Sequence, residues 1–406
     1  FIVGGRQYTR TARVRLAGRL EPPQMARASP QASRVQVVSS TWARDSHDLF
    51  DFEANQLQTQ TFNVFQSAIF FRTGTEVMHF TEGESVPQAG DPLLRLVQRD
   101  RAFWVDRAAP PNSSKKLWLV VRGLASCAHR LSEGDVMKLG RFKFRVRQLV
   151  TSSCVGRQPE LRLDDLGAVY AAGEQEQKND ATMSSTMCRI CLLEGPGEDD
   201  PLIAPCQCKG SIEYVHLGCL RHWIRGRLNL PDGPAGGYFY RPLACELCKG
   251  VYPTYVNTGK DRTPLVEVPF TEPPFVVLEN MVRDSHQHAT RGLHVISLAE
   301  EKVLKLGRGH DSDVRIADVS ISRCHATIRF QRGQFLLEDN NSKFGTLVAM
   351  KKPKLLEPGS AISIQAGRTV LSLSAQVDPA QSADQAEDER ALRLSLLTRD
   401  STLESL

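Results

Sequence analysis

The sequence predicts a multidomain, mostly β chain. A compact, loop-rich module lies in the middle, an all-β sandwich follows it, a second β-rich stretch precedes it, and the chain opens on an unordered arm. Three observations carry this prediction. Eight soft ligands fall in four close pairs between Cys188 and Cys248. Short alternating runs lie on both sides of them, and polar or Pro-rich segments separate the three regions.

The ligand pairs read Cys188-x2-Cys191, fourteen residues, Cys206-x-Cys208, seven residues, His216-x2-Cys219, twenty-five residues, Cys245-x2-Cys248. Structural zinc takes four such ligands in a tetrahedron, so eight make two closed sites with no position left for water. That favours a scaffold over a hydrolytic centre. A disulfide framework is the competing reading of clustered cysteines. Seven thiols cannot all pair among themselves, and a histidine stands in ligand register. The single-residue gap at Cys206-Gln207-Cys208 also suits one metal better than two disulfides. Structural zinc contributes on the order of 10–16 kcal/mol of apparent binding energy. That is enough to fold a segment whose loops, 194–200 and 232–237, could not build a core alone.

Two families place a histidine fifth among eight ligands. PHD fingers, readers of histone tails, keep a shorter gap before the histidine and an aromatic two residues ahead of the last pair. Here the gap is seven and that position is Leu243. The stretch instead resembles the RING-CH (RINGv) domain of ubiquitin ligases. The matching residues are Cys188-Arg-Ile-Cys191, Pro205-Cys-Gln-Cys-Lys-Gly-Ser211, Tyr214-Val-His-Leu-Gly-Cys-Leu220, Trp223 and Cys245-Glu-Leu-Cys248. The resemblance implies a cross-brace. Cys188, Cys191, His216 and Cys219 would hold one Zn2+, and Cys206, Cys208, Cys245 and Cys248 the other. It also implies catalysis by positioning a ubiquitin-charged conjugating enzyme, with no covalent intermediate on this chain. Ile190 and Trp223 match the apolar docking contacts; the alternative for Trp223 is a core aromatic. Lys249 matches the bridging cation, where arginine is commoner and offers a fork rather than a point charge.

Composition bounds the rest. At 406 residues, with 41% hydrophobic and 24% charged, the chain reads as a soluble protein of several domains. Of ten cysteines, Cys127, Cys154 and Cys324 stand outside the frame, a usage suited to a reducing compartment, cytoplasmic or nuclear. No run approaches eighteen apolar residues, so no transmembrane helix is expected, unlike many RING-CH ligases. The formal charge of +5 traces to residues 1–44, which hold eight arginines against one acid, Glu21. Such an Arg, Ser and Pro-rich arm is expected to be unordered rather than a specific nucleic-acid binder.

Along the chain, 1–60 lacks periodicity and is read as the disordered basic arm. Residues 62–150 turn β-like, with strands around 68–72, 76–80, 93–99, 103–106, 117–122, 136–138 and 142–148. A linker, 151–187, carries one possible helix at 161–172. The zinc domain spans 188–252, and a Pro-rich join spans 253–274. A second β-domain covers 275–375, and an acidic tail, 376–406, has one amphipathic stretch at 385–397.

Three motifs in 275–375 belong together: Gly307-Arg308-Gly309, Ser322-Arg323-Cys324-His325 and Asn341-Ser342-Lys343-Phe344-Gly345-Thr346. In this order between strand-like runs they resemble the forkhead-associated (FHA) domain, an eleven-stranded sandwich that binds phosphothreonine peptides on its loops. An anion site needs a guanidinium fork, hydroxyls and backbone N–H groups converging on one point. The resemblance assigns Arg308 and Ser322 to the phosphate, lets Arg323 and Lys343 add contacts, gives His325 a buttressing role and leaves Cys324 buried. Lys343-Phe344 replaces the usual Thr-Asn, whose Asn normally holds the peptide backbone, so neither the family's peptide affinity nor its selectivity carries over to this chain. An internal echo links Arg130–Gly134 and Gly140-Arg141 with Leu356–Gly359 and Gly367-Arg368. Both look like the closing hairpin of an FHA sandwich, so 62–150 is read as degenerate FHA-like, with no phosphate motif and no phosphate binding.

The expectation is a RING-CH-type E3 ubiquitin ligase with two partners, a charged conjugating enzyme and a phosphothreonine protein. A bound target would be held near the ubiquitin donor by a tether through the Pro-rich join. The alternatives are a phosphopeptide adaptor whose zinc module is an interaction platform, and a PHD-like chromatin reader.

Overall fold

The computed structural model describes residues 34–44, 48–81, 83–85, 90–100, 102–108, 116–152, 184–231, 233, 236–258, 261–281, 292–299 and 303–376. The helices considered for 161–172 and 385–397 lie outside them. The described residues are overwhelmingly β, with one α-helix, α1, at Leu217–Leu228.

Two sandwiches share an eleven-stranded sheet, and each adds its own five-stranded sheet. In the first, the five-stranded layer runs Lys354–Leu356, Ala102–Arg107, Asp91–Arg99, Ala68–Thr73, Glu76–Thr81. In the second it runs Val314–Arg315, Leu304–Gly307, Ala326–Gln331, Gln334–Asp339, Ala128–Arg130. One core gathers Phe70, Leu94, Leu96 and Phe103 with Ile364, Leu371 and Leu373. The other gathers Leu306, Ile328, Phe335 and Leu337 with Met137, Leu139, Phe144 and Val146.

Those two lists mix distant parts of the chain because the halves exchange their closing strands. The hairpin Val136–Leu139/Phe142–Val150 turns at Gly140, whose φ of +52° suits a two-residue turn. Its outer strand pairs with Phe275–Asn280 and so closes the second sandwich. The equivalent hairpin, Ala361–Ala366/Thr369–Gln376, turns at Gly367 and pairs with Arg34–Trp42, closing the first. The echo between the two closing hairpins is therefore a structural equivalence, but each hairpin serves the opposite half. The crossover lies where Trp118–Val120 pairs antiparallel with Thr346–Ala349. Leu119 there faces the first core, and its partner Val348 faces the second. Residues 62–150 and 275–375 are thus not two contiguous domains but two interlocked ones.

Arg34–Trp42, inside the arm expected to be disordered, is an interior strand of the large sheet. Its inward residues are Val35, Val37, Ser39 and Thr41, all fully buried. Two of the four are polar, so the alternation carries little apolar signal; Thr41 meets Thr369 hydroxyl to hydroxyl at 3.0 Å. Leu57–Val64 pairs beside it as the edge strand.

The Pro-rich join is not a tether either. Tyr255–Thr258 and Asp261–Pro264 form a hairpin, and Leu265 after it is fully buried. The zinc module and the second sandwich share one apolar cluster, in which Leu220, Ile224 and Tyr240 pack with Phe275, Val277, Leu293 and Val295. Gly237–Tyr240, from the module's long loop, adds itself as an edge strand against Leu293–Ser297.

Candidate functional site: two zinc clusters and an anion-binding loop set

The eight ligands fall into two groups, Cys188, Cys191, His216, Cys219 and Cys206, Cys208, Cys245, Cys248, each with ligand atoms within 4.8 Å of one another. First and third pairs form one group, second and fourth the other, as a cross-brace requires. Zn–S bonds of about 2.3 Å imply tetrahedral S···S edges of roughly 3.8 Å. Cys208 and Cys245 sulfurs stand at 3.8 Å. The short pair Leu202–Ile203/Val215–His216 brings His216 to the start of α1, and Cys219 follows in its first turn. Asp200 Oδ1 accepts the Gly218 N–H at 2.6 Å, satisfying one of that helix end's free donors.

His216 is oriented for one role. Its Nε2 donates to the Gly195 carbonyl at 2.8 Å, which turns Nδ1 toward Cys191 and Cys219 sulfurs at 3.3 and 3.9 Å. A ligand histidine whose far nitrogen is tied to a carbonyl has its tautomer set for the metal. Burial pushes the Cys188 thiol up, but backbone N–H donors from Cys191, His216 and Ile190 outweigh it and hold it at about 6. At Cys245 burial is likewise outweighed, by the N–H groups of Cys248 and Leu247, again to about 6. Each group thus holds one thiol favoured as thiolate, while burial and the neighbouring thiols push Cys219 in the first group and Cys208 in the second up to about 12.

Arg189 escaped the sequence reading. It sits between two first-cluster residues, yet its guanidinium reaches the second cluster, 3.5 Å from Cys206 and 3.8 Å from Cys245 sulfur. It also donates to the Ile212 carbonyl at 2.8 Å and the Tyr252 hydroxyl at 3.2 Å. A cation beside four thiolates offsets their charge, a pattern no ligand spacing reveals.

Of the residues matched to conjugating-enzyme docking, Ile190 is 42% exposed on the first zinc loop. Trp223 is half-buried on α1, edge-on to Tyr252 at 6.1 Å with Arg227 over its ring. It therefore packs against the core and still presents surface. Lys249 is exposed, has φ +61° and donates to the Glu246 carbonyl at 2.8 Å. Exposed leucines join them on the zinc loops, Leu192 at 67%, Leu193 at 66% and Leu247 at 59%. Leu192 and Leu247, directly beside ligand cysteines, were the available signal, with Leu193 one residue further on.

In the second sandwich the three loops converge as the motifs imply. Arg308 N–H donates to the Ser322 carbonyl at 3.1 Å, and Lys343 N–H donates to Ser322 Oγ at 3.1 Å. His325, fully buried, accepts the Ser322 N–H on Nδ1 and donates from Nε2 to the Gly345 carbonyl, both at 3.1 Å. Burial pushes its pKa down and keeps the ring neutral, in the buttressing role expected of it. Arg308 and Arg323 are exposed. Cys324, expected to be buried, is exposed, and its sulfur accepts from Asn340 Nδ2 at 3.1 Å. It points outward because His325 next to it takes the inward position. In the first sandwich, Arg72 is next to last in Ala68–Thr73, the strand second from the edge of its layer as Leu304–Gly307 is in the other, and Asp91 already holds its guanidinium at 2.6 Å.

A RING-variant domain model matches residues 188–248, and an FHA domain model matches 304–365. The chain therefore contains a RING-variant domain and an FHA domain, and the match agrees with the spacing argument against a PHD finger. Among curated proteins the chain is 30% identical over 99 residues to E3 ubiquitin-protein ligase MARCHF7 of Pongo abelii, covering 24% of this chain and 12% of that protein. It is 34% identical over 93 residues to the ERAD-associated E3 ubiquitin-protein ligase DOA10 of Saccharomyces cerevisiae, covering 23% and 6%. Over 66 residues it is 41% identical to E3 ubiquitin-protein ligase MARCHF8 of Xenopus tropicalis, covering 16% and 20%. The chain thus spans a fifth or less of the length of these relatives. No solved structure matches it. Among the described residues no helix is long and apolar enough to cross a membrane.

Proposed function

We propose that the chain is a RING-type E3 ubiquitin-protein ligase that recruits phosphothreonine-bearing partners through its FHA domain. The observation that supports this most is the pair of complete ligand clusters with Ile190 and Leu247 exposed on their loops and Trp223 half-buried on the adjoining helix. Zinc, when bound, supplies folding energy and holds those loops in place. Ile190 and Trp223 then offer apolar contacts to a conjugating enzyme, and Lys249 offers an exposed cation directly after the eighth ligand. Transfer occurs from the conjugating enzyme's thioester, so this chain's part is restriction of freedom rather than bond-making.

On the sandwich, Arg308 and Ser322 receive the phosphate of a phosphothreonine, with Arg323 and Lys343 beside them. Four donors on three loops suit a dianion better than a carboxylate.

Autoubiquitination by the full chain against a panel of conjugating enzymes tests the ligase reading. Ubiquitin ladders lost in Ile190→Ala and Trp223→Ala, with zinc content unchanged, are expected. Absence of ladders with every conjugating enzyme would sink it and leave the phosphopeptide adaptor as the account.

A further inference from the structure

The third FHA loop is not an independent piece of its sandwich. Arg122, from the 3-10 turn at the crossover, donates to the Ser342 carbonyl and pairs with Asp339 at 2.7 Å. The Asp339 carboxylate has no exposed surface, and it also accepts from Ser342 and Thr346 hydroxyls at 2.5 and 2.6 Å. Phe52 N–H donates to the Lys343 carbonyl at 3.0 Å. The N-terminal half thus holds the loop's backbone from two sides.

Asp51, next to Phe52, adds a charge. Its Oδ2 lies 3.3 Å from Lys343 Nζ, while its Oδ1 accepts the Glu53 N–H at 2.9 Å. Asp51 is 7% exposed, so its carboxylate stays in place, whereas the Lys343 side chain is about half exposed and can swing. Lys343 N–H in turn is bonded to Ser322 Oγ, so this lysine stands within reach of the hydroxyl matched to the phosphate.

We propose that Asp51 is a built-in counter-ion that occupies Lys343 in the free protein and is exchanged for the phosphate of an incoming phosphothreonine peptide. This rests on the phosphopeptide reading above. Breaking the Asp51–Lys343 pair costs binding energy, so Asp51 sets an affinity threshold from outside the FHA motif. It makes the N-terminal half part of the recognition site. A partly exposed pair of this kind is worth up to about 1 kcal/mol, or roughly fivefold in affinity.

The test uses the full chain with zinc and a phosphothreonine-oriented peptide pool, read by fluorescence anisotropy against the unphosphorylated pool. Asp51→Asn keeps an acceptor for the Glu53 N–H and removes only the charge. It is expected to tighten phosphopeptide binding about threefold or more, and Lys343→Met to weaken it. In the Lys343→Met background, Asp51→Asn should change nothing, a non-additivity that a merely structural Asp51 would not produce. If the wild type binds, Arg308→Ala abolishes binding and Asp51→Asn is neutral or weaker, the counter-ion role is overturned while the phosphopeptide reading stands. No phosphate-dependent binding by either wild type or Asp51→Asn overturns both.

Discussion

Val150 and Phe275 stand opposite one another as paired residues of one antiparallel ladder, yet the whole zinc module lies between them in sequence. The module is an insertion whose two ends leave from adjacent strands, and its Gly237–Tyr240 strand returns to the same sheet. The three FHA loops and the zinc loops therefore belong to one packed body rather than to two domains on a tether.

Removing zinc should then be felt in the sandwich. Chelation is expected to strip amide protection from Leu293–Ser297 in hydrogen exchange, because Tyr240 and α1 pack on that strand's side chains. Protection there unchanged after zinc loss would mean the shared cluster does not couple the two.

Arg189→Ala should loosen the second zinc selectively. Loss of a partner that supports metal ligands typically costs 10–100-fold in metal affinity, and competition with a chromophoric chelator would show one weakened site of two.

Arg122→Ala should destabilise the protein by about 2–3 kcal/mol, since it strands the buried Asp339 carboxylate without its cation. Urea unfolding measures this, and Arg122→Lys should recover only part, because the shorter ammonium lacks the planar guanidinium that lies over the Phe52 ring at 4.4 Å.

His294 supplies a pH dependence. Burial beside Phe144 and Phe239 pushes it down to about 4, so it is neutral when folded. The unfolded chain takes up its proton near 6.5, so the native state is fully favoured above that pH and loses ground as pH falls toward 4. Stability at pH 5 should be about 1–2 kcal/mol lower than at pH 7, and His294→Phe should flatten the slope between those values.

Both zinc sites were legible in the sequence because ligand chemistry is local: four pairs at set spacings admit few alternatives, and the clusters use those residues. The strands of 68–148 and the FHA motifs were legible for the same reason, alternation and turn residues being short-range signals. Arg34–Trp42 was not, since Ser39 and Thr41 take inward positions that apolar residues usually mark. The clamp of Arg189 on the second cluster, the reach of Arg122 and Asp51 to the third loop, and the outward Cys324 depend on contacts between segments far apart in sequence. The exchange of closing hairpins is the extreme case. Each hairpin alternates inward apolar residues, a pattern that does not name the half it closes. Which half each one closes is seen in its partner strand, Phe275–Asn280 for the first and Arg34–Trp42 for the second, both far away in sequence.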